Sequence, residues 1–465
     1  MTKISIGHMS LGIPGNPPRW FGRSPSAPVR DALVAKLEGA LGKPGCSICH
    51  LVREQEESHL FHFLWENIND PTTRARLRAT LGYCSRHTWL LHDLERQWWG
   101  DGLETAIVCE DVLREVVQRL RSVRSGRDSA SLESRGGCPI CQERGQIEEA
   151  YQTALVHHLA RPDFRELYAR SGGMCLPHLR RSLSLDREFV DYLVEVALAT
   201  LDSATDVADP TSIANLLYGL ELVGLPKDSV GRTREMPGLP CPACTRRLAM
   251  EPSTVAGDFA VAVDRGEDHV GSSGDEQSGE SGQLCAHHGF VLARLVETAD
   301  ANADGRAALS CQSDVAREWL ALVGRRILPR RRRSGILPGW AQLRGGRSED
   351  QTARSTCPAC RLVDRVERPA VVEIGGATIK DVETQGQAVT GPLCLQHLTL
   401  TLALLPDPRP RQLALIVADQ LDQLGDELRQ YIHKHSWDYR DEVRGSEQTS
   451  PTRATRFLAG EPNAW

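Results

Sequence analysis

The chain has 465 residues, 55 Lys and Arg against 61 Asp and Glu, and a net charge of −6. Length alone leaves room for about three ordinary domains. The mild acidity excludes a protein that coats nucleic acid over its whole surface, and aromatics at 5% exclude an aromatic-rich core. The discriminating number is 14 cysteines, 12 of which fall into one repeating pattern.

Residues 1–45 form a Pro/Gly-rich leader with no continuous apolar stretch, so no secretory signal is expected there. Apolar runs such as Leu398 to Leu405 are far shorter than the ~20 residues of a membrane span. The expectation is a cytoplasmic protein with no membrane association. In that compartment close CxxC pairs bind metal or do redox chemistry more often than they form structural disulfides.

The first repeat, 46–125, opens with Cys46-Ser-Ile-Cys49. A helical stretch follows from Leu51 to Ile68, then Asp70-Pro71, which reads as an N-cap and first residue of a short helix. The repeat continues with Cys84-Ser-Arg-His87 and an amphipathic helix carrying Ile107, Val108, Val112, Val116 and Leu120. After a linker at Ser125–Gly137, the second repeat, 138–225, has Cys138-Pro-Ile-Cys141, a helical stretch from Glu143 to Leu159, and Cys175-Leu-Pro-His178.

The third repeat, 241–328, carries Cys241-Pro-Ala-Cys244 and Cys285-Ala-His-His288. Between them a Gly/Ser/Glu-rich run near Gly271 to Gly282 reads as a loop beside a short β-hairpin. The fourth, 357–436, carries Cys357-Pro-Ala-Cys360 and Cys394-Leu-Gln-His397. Here Val371 to Ile374, Gly375-Gly376 and Ala377 to Lys380 read as a β-hairpin with a Gly-Gly turn. An amphipathic helix with Leu415, Ile416, Leu421, Leu424 and Leu428 precedes a tail at 437–465. Further linkers fall at Pro226–Pro240 and Arg330–Thr356.

Each CxxC closes a tight turn that aims two thiolates at one point. Each CxxH at a helix start puts Cys and His at i and i+3 on one face. Three thiolates and one imidazole make a closed tetrahedral set suited to structural zinc. The expectation is therefore up to four zinc ions, one inside each repeat. A knuckle, a hairpin and a ligand-bearing helix resemble a treble-clef finger, the fourth repeat most closely. The fold class read from this is mainly α: a tandem array of four treble-clef-like modules with short β-hairpins in modules three and four. Cys109 and Cys311 lie outside the pattern and read as small buried hydrophobes.

Three other chemistries fit the same residues. Cys3His sites can hold iron–sulfur clusters for electron transfer, although familiar cluster sequences space their cysteines more closely. Thiol oxidation that expels zinc would make a redox sensor. An enzyme would need a site between modules, with His433, His435 or Asp438 as candidates, but no nucleophile motif accompanies them. The preferred reading is a zinc-stapled scaffold or regulator with a protein partner. Arg330 to Arg333 could instead contact nucleic acid, a reading set below that of a solvated linker.

The combination of CPxC, Asn69-Asp70-Pro71, GxCxxH and a closing His433-Lys434…Asp438-Tyr439-Arg440…Glu442 resembles an uncharacterised bacterial family with several such units. The resemblance rests on Cys46 to His87, Cys138 to His178, Cys357 to His397 and His433 to Glu442. It implies repeated metal modules and no particular activity.

Overall fold

The computed structural model describes residues 29–133, 137–185, 188–207, 210–219, 239–253, 358–387, 392–439 and 441–462, with scattered positions between 288 and 321. Among the described residues there are helices and turns and no strand.

Helix α1 (Val29–Leu41) falls in the stretch read as a leader, yet Leu37, Ala40 and Leu41 are buried against the next helices. Helix α2 (Ser47–His62) continues through a π-helical turn, Phe63–Asn67. Asp70 then caps α3 (Pro71–Thr80), its carboxylate accepting the Thr73 N–H at 2.7 Å. Leu81 ends α3 in the left-handed region at φ 55°, a conformation rare for a residue with a branched side chain. Helices α4 (Ser85–Trp99) and α5 (Leu103–Ser122) complete the first repeat.

The second repeat follows the same order. It comprises α6 (Pro139–His158), α7 (Pro162–Arg170), α8 (Leu176–Leu185), α9 (Val190–Val207) and α10 (Pro210–Tyr218). Then come α11 (Pro242–Ser253), α12 (Pro358–Gln385), α13 (Leu395–Leu404), α14 (Arg409–His435) and α15 (Ser450–Ala459).

The hairpin expected at 371–380 is overturned: these residues lie inside α12. Val363, Glu367, Val371, Ile374 and Thr378 are all buried, a spacing of four, four, three and four that only a helix places on one face. Gly375-Gly376 therefore makes a helix crossing rather than a turn. A Cβ on Gly375 would lie 2.4 Å from the Thr401 methyl of α13, so only glycine lets the two backbones approach this closely. Two glycines cost a helix roughly 1 kcal/mol each, and the packing of α12 on α13 and α14 overrides that. The hairpin expected in the third repeat lies outside the described residues, as do the linkers at 226–240 and 330–356, apart from the last two residues of the former. The linker at 125–137 begins instead as a capped 3-10 turn, Gly126–Leu132, packed on α13.

Among the described residues two apolar cores organise the helices. One joins α5 of the first repeat to α14 of the fourth, with Val112, Val116 and Leu120 facing Leu413, Val417 and Leu421. The other joins the second repeat to the third, with Leu201, Leu217 and Tyr218 near Leu292, Ala316 and Leu320. Arg317 pairs with Asp202 at 2.9 Å across that contact. The segment beyond α14 leaves Trp437, Tyr439 and Val443 exposed, and α15 returns the chain to the core through Phe457 and Leu458. No helix of the described residues is long and apolar enough to cross a membrane.

Candidate metal centres

Six of the ligand pairs, those described in full, each start a helix. Cys46, Cys84, Cys138 and Cys394 are N-cap residues with extended backbone. Their carbonyls accept the first helical N–H, at 2.9 Å from Thr88 to Cys84 and 2.8 Å from Leu398 to Cys394. Cys175 and Cys241 do the same toward Leu179 and Thr245. The second ligand of each pair then sits in the first turn, on the same side. Thiolates placed there meet the unpaired N–H groups and the positive end of the helix dipole.

The expected sets are corrected at this point, because no ligand set described here closes within one repeat. Centre A unites Cys46 and Cys49 of the first repeat with Cys175 and His178 of the second. Centre B is the reciprocal: Cys84 and His87 of the first with Cys138 and Cys141 of the second. Centre C unites Cys241 and Cys244 of the third with Cys394 and His397 of the fourth. In each centre the four donor atoms lie within 4.8 Å of one another. Of the remaining expected ligands, Cys360 Sγ lies 3.4 Å from His288 Nδ1, again across repeats, while Cys285 and Cys357 lie outside the described residues.

Helix length explains the exchange. At 1.5 Å per residue, α2 and its π turn carry the chain roughly 30 Å from Cys46, and α3 returns it only about 15 Å. The CxxH therefore lands about half-way back along α2, out of reach of its own CxxC. It lands beside Glu56. α6 lies against α2 and presents Cys138 and Cys141 there, while the Cys46 end of α2 meets the second CxxH. Among the described residues of the first, second and fourth repeats, long helices stand where a treble-clef hairpin would be.

The histidines are oriented from behind. Nδ1 faces the sulfurs in every centre: His178 at 3.2–3.5 Å, His87 at 3.2–3.4 Å and His397 at 3.2–3.4 Å. Nε2 faces a buried carboxylate: Glu148 at 3.5 Å, Glu56 at 3.2 Å and Glu367 at 2.6 Å. Such a carboxylate fixes the ring and raises its basicity as a ligand. None of these three glutamates stands out by motif, yet they share a sequence signal: each is the tenth residue after the first Cys of its repeat. Glu251 holds that place after Cys241, and its side chain lies outside the described ones.

Charge at the carboxylates is balanced by arginine. Arg144 Nε bonds Glu148 at 2.6 Å and its Nη1 lies 4.0 Å from Glu56, so one guanidinium stands between centres A and B. Arg86 pairs with Glu56, Arg181 with Glu148, and Arg247 with Glu367 at 3.1 Å. Burial works against ionisation of Glu56 and Glu148, but their histidines and arginines outweigh it and hold both carboxyls below the usual range. Burial also opposes protonation of His397, yet Cys241, Cys244 and Glu367 push it up to about 11. His87 and His178 are raised for the same reasons, by their thiolates and carboxylates. A cation entering these sets must therefore displace a proton from each imidazole.

Backbone comes close to two of the centres, and a small cavity beside centre A is lined by Cys49, Cys175, His178 and Gly219. Gly219, at φ +95°, passes so near centre A that a Cβ would lie 3.3 Å from Cys49 Sγ and 3.5 Å from Cys175 Sγ. At centre C, Glu461 donates its N–H to Cys244 Sγ at 3.4 Å and accepts the Cys241 N–H at 3.0 Å through its carboxylate.

Other candidates do not converge. Cys109 is fully buried, and burial pushes its thiol up to about 12. His433 stacks on Tyr439 at 3.8 Å, His435 Nδ1 bonds the Tyr431 carbonyl at 2.7 Å, and Asp438 is exposed. Arg330 to Arg333 lie outside the described residues. Glu95, Asp101 and Glu104 approach one another, but Glu95 is occupied in capping α5 by accepting the Glu104 and Thr105 N–H groups at 2.8 Å.

Residues 26–192 match the model of a family described as "Family of unknown function (DUF6062)". That span encloses all eight ligands of centres A and B. The chain is also similar to the "Uncharacterized 23.9 kDa protein in xynA 3'region" of Caldicellulosiruptor sp. (strain Rt8B.4). The two are 27% identical over 155 residues, which is 32% of this chain and 73% of the relative. No solved structure matches.

Proposed function

We propose that the chain is a structural zinc protein whose ions staple helices from different repeats into one frame that docks a protein partner. The sulfur spacing carries this reading. Cys49 to Cys175 and Cys84 to Cys141 are each 3.8 Å, and Cys244 to Cys394 is 3.7 Å. A tetrahedral ion with Zn–S near 2.3 Å puts its sulfurs about 3.8 Å apart. An iron–sulfur cluster interposes several iron and sulfide atoms between its ligands and holds at least some of them farther apart.

Three thiolates and an imidazole leave no open position for water or substrate, which favours a structural role. The docking role draws support from four clustered aromatic rings. Phe61, Trp65 and Trp99 lie nearly parallel with centroids 6.1–6.4 Å apart, and Trp98 meets Phe61 edge-on. Trp65 is 65% exposed. Exposed aromatic groups are enriched at protein interfaces.

Elemental analysis and an absorption spectrum of protein purified without oxygen test the metal. The expected result is three or four zinc ions per chain and no visible band. Iron with acid-labile sulfide would overturn it. The partner is tested by crosslinking from a photoreactive side chain at position 65. An adduct lost in Trp99→Ala supports docking, and its persistence there counts against it.

A further inference from the structure

We infer that centre B is an oxidant-responsive switch whose modification site is Cys141, while centres A and C are permanent. This rests on the zinc reading above. The three centres share ligands and geometry but differ in cover. All four ligands of centre A are buried, and so are all four of centre C. Gly219 backbone lies against the first and the Glu461 N–H against the second. In centre B, Cys141 is exposed and Cys84 is half-exposed, while Cys138 and His87 are buried. A small polar oxidant meets exposed Cys141 from solvent more readily than the buried cysteines of centres A and C.

The chemistry is that of a thiolate with a peroxide. The Cys141 sulfur attacks one peroxide oxygen, an S–O bond forms, the O–O bond breaks, and hydroxide leaves. Cys84 Sγ, 3.8 Å away, then attacks the sulfenic sulfur. The S–S bond forms as the S–O bond breaks, and a second hydroxide leaves. Two thiolates have lost two electrons and the peroxide has gained them. Only Cys138 and His87 remain as donors, so the ion departs.

The consequence is local by construction. Cys84 caps α4, Cys141 lies in the first turn of α6, and His87 rests on Glu56 in the middle of α2. Loss of the ion frees the start of α4 and the start of α6. The aromatic group Trp98 and Trp99 lies at the far end of that same α4.

The test uses the full-length metal-loaded protein, with its zinc counted first. Hydrogen peroxide is added with a chromogenic zinc chelator, and thiols are trapped and mapped by mass spectrometry as zinc appears. The expected first event is one zinc per chain, released with loss of the Cys141 and Cys84 thiols and restored by a reductant plus zinc. First oxidation at Cys46, Cys49, Cys175, Cys241, Cys244 or Cys394, or at the Cys285, Cys357 and Cys360 set, would overturn the inference. Simultaneous release of all zinc would do the same. A Cys141→His variant keeps four donors in a set that still binds zinc. It should slow the first release at least tenfold, and an unchanged rate overturns the proposal. Protein that carries no zinc from the outset refutes the zinc reading itself, a result distinct from zinc that is present and released in the wrong order.

Discussion

The exchange of ligands between repeats can be tested by combining substitutions. Cys49→Ser removes a donor from centre A, where Cys49 Sγ lies 3.8 Å from Cys175 Sγ and 3.5 Å from His178 Nδ1. His178→Ala removes a donor from the same centre, and His87→Ala removes one from centre B. Along α2, Cys46 and Glu56 are ten residues apart, about 15 Å. Glu56 touches His87, so the two centres lie at separate points on that helix. A structural zinc set contributes on the order of 10 kcal/mol of apparent binding free energy, and it can be forfeited only once. The variant Cys49→Ser/His178→Ala should therefore lose little more than either single change. The variant Cys49→Ser/His87→Ala should lose a second ion and a second increment of stability. Zinc per chain and urea unfolding followed by circular dichroism read both effects. Substitutions in one network couple by about 0.5–3 kcal/mol, and distant ones add. Coupling between positions 49 and 87, with additivity between 49 and 178, would refute the exchange and restore sites closed within each repeat.

Three further outcomes are expected. Glu367→Gln keeps the shape behind His397 but weakens the acceptor at 2.6 Å, so zinc affinity at centre C should fall 10–100-fold with A and B unchanged; chelator competition measures it, and an equal loss at all centres would contradict the assignment. Gly375→Ala forces a methyl to within 2.4 Å of the Thr401 side chain, and the crossing of α12 on α13 should lose about 1–3 kcal/mol in denaturant unfolding; a neutral result would mean that the helices do not cross there. Acidification should release zinc and unfold the first two repeats together, because Glu56 and Glu148 have folded-state pKa values below the ordinary carboxylate range. Their contribution is present at neutral pH and is lost as the pH falls below about 4, while protons compete for thiolate and imidazole donors; zinc release and helix signal followed from pH 7 to pH 3 check it, and retention of zinc at pH 3 would refute it.

How far the sequence could be read varied with the range of the interaction. Asp70-Pro71 as a helix start and the apolar stripe of α5 were legible because capping and amphipathic spacing are local. The Glu ten residues after each first Cys was equally present in the sequence. It passes unnoticed until the helix is known to run past a second metal centre. The Gly375-Gly376 pair misled because the same two glycines suit a tight turn and a close helix crossing. The deciding partner, Thr401, lies 26 residues after Gly375.

The sequence by itself determined which atoms are available to a metal: a CxxC and a CxxH in each repeat, every pair spaced so that both donors leave one side of a helix start. In the first two repeats it also determined the helices between them, through capping and apolar periodicity. Only the tertiary structure decided which pair meets which. A helix about 24 Å long is too stiff to fold back between its own ligands. The CxxC must find its CxxH on a neighbour packed antiparallel to it, and that pairing places one centre behind the Gly219 backbone and leaves Cys141 of the other open to solvent.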